Sequence, residues 1–255
     1  MRELERHPVA DISTRTRLVI VGRGRMGVAL AGALAAAGYP VQGPLGRGAD
    51  GAGADAVLLC VPDAEIASAA ARVSPGPLVG HCSGATGLWP LAPHERFSLH
   101  PLMTVTPAGA AFGGAGAAIA GSTPRAAATA RSLALALAMR PVEIAEGDRA
   151  AYHAAASIAS NFLITVEAAA ERIARSAGVE RDLLVPLVRA TVENWAALGP
   201  ERALTGPVAR GDERTVSRQR EAVARRAPEL VELFDAMVQA TQSLARGNEP
   251  RAAVR

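Results

Sequence analysis

"RLVIVGRGRMGVALAGALAAAG" (17–38) carries the fold decision. A β-branched and apolar run, Leu18 to Val21, ends at Gly22. Apolar residues then recur at helical spacing as far as Gly38, which suits a C-terminal helix cap. Between the two periods stands "GRGRMG" (22–27), a G-x-G-x-x-G. Gly22 permits the tight turn, Gly24 lets the backbone approach a pyrophosphate, and Gly27 lets helix and strand pack closely. The helix start adds free N–H groups and a positive dipole end. The hexapeptide alone is a weak signal; directly after a strand and opening a helix, it is a strong one.

Further short apolar runs follow at the Val41 region, "AVLLCV" (56–61), "PLVGHC" (77–82), "RFSLH" (96–100), "AAIAG" (117–121) and "PVEIA" (141–145). Helical segments stand between most of them. Asp63 after Pro62, and Thr123 before Pro124, fit an N-cap followed by a first turn. Strands alternating with helices argue for a parallel α/β sheet. Only about a dozen residues separate the Val41 run from "AVLLCV", which leaves little room for the further helix and strand of a full doubly wound pattern.

From Asp148 onward helical patterns dominate: 148–177 closing at Gly178, 180–198 closing at Gly199-Pro200, and two more after 212. The expected organisation is a polar tail (1–16), a Rossmann-like parallel-sheet domain (17–147), an all-helical domain (148–245) and a disordered tail (246–255). The fold class is thus α/β followed by all-α.

Composition narrows the function. The 255 residues carry 27 basic and 24 acidic side chains, a net charge of +3, and only 3% aromatic residues. No basic stripe is interleaved with stacking residues, which argues against nucleic-acid binding. The run "RQREAVARR" (218–226) reads as the solvated face of a helix. Every one of the 27 basic residues is arginine, so no lysine can serve as general acid, Schiff-base former or phosphate anchor. The longest apolar stretches are alanine-rich and interrupted by arginine, so no membrane span is expected, and the N-terminus lacks the apolar core of a signal peptide. A cytoplasmic protein with Cys60 and Cys82 as free thiols follows. The cysteines lack metal-site spacing, and no metal is expected.

The end of the second strand, "VQGPLGRG" (41–48), is informative. An NAD site places Asp or Glu there for the ribose 2′-hydroxyl, whereas an NADP site uses arginine. Arg47 stands in that region, no acid appears until Asp50, and Arg23 and Arg25 lie in the glycine loop; the reading is NADP. Gly22, Arg23, Gly24, Arg25, Met26, Gly27, Arg47, Val61, Pro62 and Ser83 form the expected cofactor set. In doubly wound sheets ligands sit outside the carboxyl ends of the strands. Three such ends look chemical: "CVPD" (60–63), "HCSGATG" (81–87) and "SLHPLMT" (98–104). Ser83 and Gly84 are placed to meet nicotinamide or substrate, and His100 brings an imidazole to the same edge. His81 and His94 read as loop residues with satisfied hydrogen bonds.

"AYHAAASIASNFL" (151–163) sets His153, Ser157 and Asn161 one turn apart among alanines, so that they share one stripe. Such a stripe either packs into a polar network or lines a site. His153 is the candidate general acid, because an imidazole titrates near neutral pH; His100 is its competitor. Asn194 and Arg210 complete the substrate set. Gly-Pro and Gly flank Arg210 in "LTGPVARGDERTV" (204–216), where a guanidinium suits a carboxylate, and Asp212 caps the helix that follows.

"GRGRMG", "CVPD", "HCSGA", "SLHPLMT", "YHAAASIASN" and "LTGPVARGD" occur in an order that resembles bacterial Rossmann-like proteins with a C-terminal helical domain of unknown function, number 2520. The resemblance spans about residues 16 to 245. That family is similar to the superfamily of 6-phosphogluconate, β-hydroxyacid and ketopantoate reductases, and to pyrroline-carboxylate and cofactor-F420-linked NADP reductases. Ketopantoate reductases open the helical domain with Lys-x-x-x-Asn-x-x-x-Asn, the lysine acting as general acid. Here the stripe reads His153, Ser157, Asn161, so that role does not transfer directly. The resemblance implies an NADP-dependent reductase of a small carbonyl compound, with a 2-oxo acid such as ketopantoate suggested by the family's neighbouring genes, and a homodimer through the helical domain. An F420-linked or imine-type NADP reductase, and a non-catalytic NADP(H)-binding regulator, are the alternatives.

Overall fold

Strand β1, Leu18–Val21, is buried along its whole length, with alternate residues facing opposite sides. Leu18 and Ile20 join one apolar cluster with Leu30, Leu34, Phe97 and Leu133. Val19 and Val21 join a second with Ile66, Val73, Val79 and Leu91. A strand apolar on both faces needs a layer on each side, which is why these short runs are continuous rather than alternating.

The computed structural model describes residues 15–107 and 109–247, and most of the two expected tails, 1–16 and 246–255, lies outside them. Among the described residues, β1, β2 (Val41–Leu45), β3 (Ala56–Leu59), β4 (Leu78–His81), β5 (Arg96–Leu102), β6 (Gly116–Gly121) and β7 (Arg140–Glu143) form one sheet in the order β2-β1-β3-β4-β5-β6-β7. The first five are mutually parallel. Strand β6 runs antiparallel to β5, and β7 parallel to β6. The sheet is therefore mixed rather than wholly parallel. Physically, β5 and β6 are joined by a loop without a crossover helix, and a strand that returns without a crossover pairs antiparallel. Between β2 and β3 there is only a turn-rich connection, so the abbreviated doubly wound pattern is real.

Helix α1 (Arg25–Ala36) ends as the glycine signal predicts: Gly38 has φ +91°, and Tyr39 N–H reaches Leu34 C=O. Helix α2 is Ile66–Ala70. Helix α3 (Pro124–Ala136) starts at Thr123, whose hydroxyl accepts from Ala126 N–H at 3.1 Å. The expected cap at Asp63 does not form. Asp63 opens a 3₁₀ turn, and its carboxylate is taken by side chains of another loop.

The chain forms two compact units, to Ser160 and from Asn161. The sheet ends at Glu143, and the first unit continues through helix α4 (Arg149–Ser157), because Arg149, Tyr152 and His153 contact residues of the sheet edge. A π-helical turn, Ile158–Phe162, follows. Its i→i+5 bonding interrupts the four-residue repeat between Ser157 and Asn161. The second unit contains α5 (Leu163–Ser176), α6 (Arg181–Leu198), a short α7 (Pro200–Ala203), α8 (Glu213–Arg226) and α9 (Val231–Gly247). Gly178 and Gly199 stop α5 and α6 with positive φ, and Asp212 caps α8 through Thr215 N–H at 3.0 Å. No helix among the described residues is long and apolar enough to cross a membrane.

Candidate active site at the carboxyl edge of the sheet

Strands β1, β3, β4 and β5 run parallel, so the loops after them share one edge. The β1 loop is the glycine turn. A Cβ on Gly22 would lie 2.1 Å from the Cys60 carbonyl oxygen, and one on Gly27 would lie 1.9 Å from Gly22 O. Both positions are closed by backbone. Gly24 differs: nothing lies within 4 Å of the point a Cβ would occupy. The turn is thus packed beneath and open above, as a pyrophosphate cradle requires. Val28 N–H makes the first helical bond, to Gly24 C=O, so the amides of Arg25, Met26 and Gly27 precede the helical ladder and are free for an anion. Arg23 and Arg25 are exposed beside them. Arg47, just past β2, pairs with Glu65 from the 3₁₀ turn after β3.

The β3 loop carries Cys60, Val61, Pro62 and Asp63. Cys60 and Cys82 are free thiols with sulfurs 3.6 Å apart. Asp63 accepts from Ser83 Oγ at 2.7 Å and from Thr86 Oγ1 at 3.1 Å. Ser83 Oγ in turn accepts from the amides of Thr86, at 2.9 Å, and Ala85, at 3.2 Å. Its hydroxyl proton and lone pairs are thereby committed to holding the 83–86 loop against β3. The fully buried His81 clasps the same loop. Its Nδ1 accepts from Ser83 N–H at 3.2 Å, which puts the proton on Nε2, 2.9 Å from Gly87 O. Burial first, with the Arg149 charge adding to it, holds His81 below the usual imidazole range. His94 meets Ala70 C=O at 3.1 Å.

This loop presents Gly84 to two imidazoles. A Cβ there would stand 2.8 Å from His100 Cε1 and 2.9 Å from His153 Cδ2, so only glycine fits without moving a ring. The rings of His100, on β5, and His153, on α4, have centroids 6.2 Å apart. His100 Nδ1 lies 2.8 Å from the Tyr152 hydroxyl. Burial first, then the charges of His153 and Arg149, push His100 down to about 4. Arg149 is 3% exposed and donates to Ser98 Oγ. Glu146 lies 3.5 Å from its Nε, within ion-pair range but outside hydrogen-bond geometry, so that Nε has no hydrogen-bond partner.

The structure therefore gathers Gly22–Gly27, Val61, Pro62, Ser83, Gly84, His100 and His153 along one edge, with Arg47 paired nearby. Ser157 ends α4 in the same unit. Asn161 (π turn), Asn194 (α6) and Arg210 are exposed residues of the second unit; Gly206 and Gly211, both with positive φ, frame Arg210. Sequence reasoning passed over Arg149, Tyr152 and the linking role of Asp63. The first two were open to detection, since Arg149, Tyr152 and His153 stand at i, i+3 and i+4 on one helix face.

Fold and loops define an α/β protein of the Rossmann-like class with a dinucleotide-type glycine turn. Residues 116–241, from β6 through most of α9, match the model of DUF2520, a domain of unknown function. No curated protein sequence matches the chain. Solved structures do match it in fold. A candidate NADP oxidoreductase from Bacteroides fragilis has 19% identity and a TM-score of 0.79, over 90% of this chain and 99% of its own. Protein TM1727 from Thermotoga maritima has 23% identity and a TM-score of 0.76, over 91% and 100%. A reductive aminase from Aspergillus terreus, solved with NADPH and ethyl levulinate, has 17% identity and a TM-score of 0.65, over 91% and 99%.

Proposed function

We propose that the chain is an NADP-dependent reductase of a small carbonyl compound, a 2-oxo acid being the first class to test. The observation that carries this reading is Gly84, which seats two imidazoles on the same edge as an open glycine cradle. NADPH-bound structures of the same fold support it. Gly24 and the amides of Arg25 to Gly27 would hold the pyrophosphate, and Val61 and Pro62 would flank the dinucleotide. When bound, the nicotinamide supplies hydride. The chain's own part is to orient the carbonyl, through His100 and the Gly84 loop, and to protonate the developing alkoxide from His153. Ser157, one turn beyond His153 on the same helix, would hold a polar group of the substrate. Oxidation of NADPH with purified protein against a panel of 2-oxo acids, ketopantoate among them, tests the reading. Cyclic imines belong in the same panel, because the reductive aminase shares the fold.

NADPH should bind at least about tenfold more tightly than NADH, from one charge-assisted contact of about 1.5–3 kcal/mol between Arg47 and the 2′-phosphate. Breaking the exposed Arg47–Glu65 pair to make that contact costs at most about 1 kcal/mol, so where that full cost applies the preference falls to between about 2-fold and 30-fold. Titration of both cofactors into the parent and Arg47→Ala chains checks this, and equal affinities in the parent would sink it.

A homodimer through the helical unit completes the proposal. Ile164, Leu183, Leu187 and Trp195 are 58% to 69% exposed, more large apolar surface than a solvated helical unit ordinarily shows. A second copy of the same chain is the occupant proposed. Light scattering at micromolar concentration should give twice the chain mass; a monomer there refutes it.

A further inference from the structure

We infer that Tyr152 is a positioning residue that locks His100 as its Nε2–H tautomer, so that His100 offers that N–H to a substrate oxygen as a hydrogen-bond donor. The inference rests on the reductase reading for the identity of the acceptor, but its geometry stands alone. The Tyr152 hydroxyl and His100 Nδ1 are 2.8 Å apart, and the two rings meet edge to face at 5.6 Å. A phenol can donate to an imidazole nitrogen or accept from it, so distance alone does not choose the tautomer.

Arg149 chooses it. Its guanidinium, buried one helical turn before Tyr152, acts electrostatically on both the phenol and the imidazole. A cation three residues earlier on the same helix face favours the phenol orientation that points its O–H away from the charge, toward His100. Nδ1 then accepts, and the neutral ring must carry its proton on Nε2. The groups around His100 agree with a ring kept neutral: Arg149, His153 and His81 all oppose a charge on it, Asp63 alone favours one, and burial outweighs them all. Burial also keeps the Tyr152 proton on, raising the phenol above its usual range against the pull of Arg149. A neutral imidazole held this way polarises a carbonyl without being consumed as an acid, which leaves proton delivery to His153.

The test needs neither substrate nor cofactor. Imidazole ¹⁵N shifts of His100, assigned with His100→Gln in the full-length chain, distinguish the tautomers at neutral pH. The Nε2–H form should dominate in the parent. Tyr152→Phe, which keeps the ring packed on His100 and removes the hydroxyl, should raise the Nδ1–H share toward that of a free neutral histidine. An Nδ1–H form in the parent overturns the inference, as does an unchanged ratio in Tyr152→Phe. If that variant does not fold, the parent spectrum alone decides. Failure of the chain to bind or oxidise NADPH would sink the reductase reading and leave the tautomer result untouched.

Discussion

His153→Gln should leave NADPH affinity and melting temperature unchanged and slow turnover by about 10²-fold or more. Glutamine keeps the length and an N–H, so hydrogen bonding to a substrate survives, but it cannot release a proton to an alkoxide. Stability should hold because His153 is exposed on α4, with the His100 ring beside it at 6.2 Å. Turnover and thermal melts on the same preparations separate the possible outcomes. Retained turnover removes His153 as the acid. A large drop in melting temperature would assign it to packing instead.

Acid should destabilise the first unit by about 2–3 kcal/mol between pH 6.5 and pH 4.5, mainly through His100. In the fold His100 titrates at about 4, held down first by burial, whereas in the unfolded chain it returns to about 6.5. Between those values the unfolded chain binds more protons, so its population grows as pH falls. The stabilisation is complete above the unfolded value and is lost as pH drops toward the folded one. His81 acts in the same direction from its buried clasp. The depressed carboxylates Asp55, Glu171 and Asp212 start from ordinary values near 4 and so release their share at lower pH. Denaturant unfolding followed by Trp89, in a Trp195→Phe background, isolates the first unit. Replacing His100 by Phe should remove most of the slope, and an equal slope in that variant would refute the assignment.

How much of this was legible beforehand depends on the range of the interaction. Local patterns were. The glycine turn, the cap at Thr123, the stops at Gly38, Gly178 and Gly199, and the cap at Asp212 each rest on contacts within about five residues. The alternation of short apolar runs with helices was enough for the α/β class, because continuous burial on both faces leaves a continuous apolar run. Even Gly22, Gly24 and Gly27 could be given separate roles from spacing alone.

Pairing across distance was not legible. Nothing in "RFSLH" or "AAIAG" says that β6 turns back antiparallel, since strand direction is set by the connection and by the free sheet edge. Asp63 looked like a cap; it instead joins β3 to the 83–86 loop, because a carboxylate accepts from whichever donors the fold brings near. The stripe His153, Ser157, Asn161 was visible as a period of four, but the π turn that interrupts it was not. By itself the sequence determined which residue types would lie at the strand ends. Only the tertiary structure decided that Gly84 would carry two imidazoles and that Arg149 would be buried behind them. Burial and electrostatics come from residues about 16 to 70 positions apart in the chain, and no local period records them.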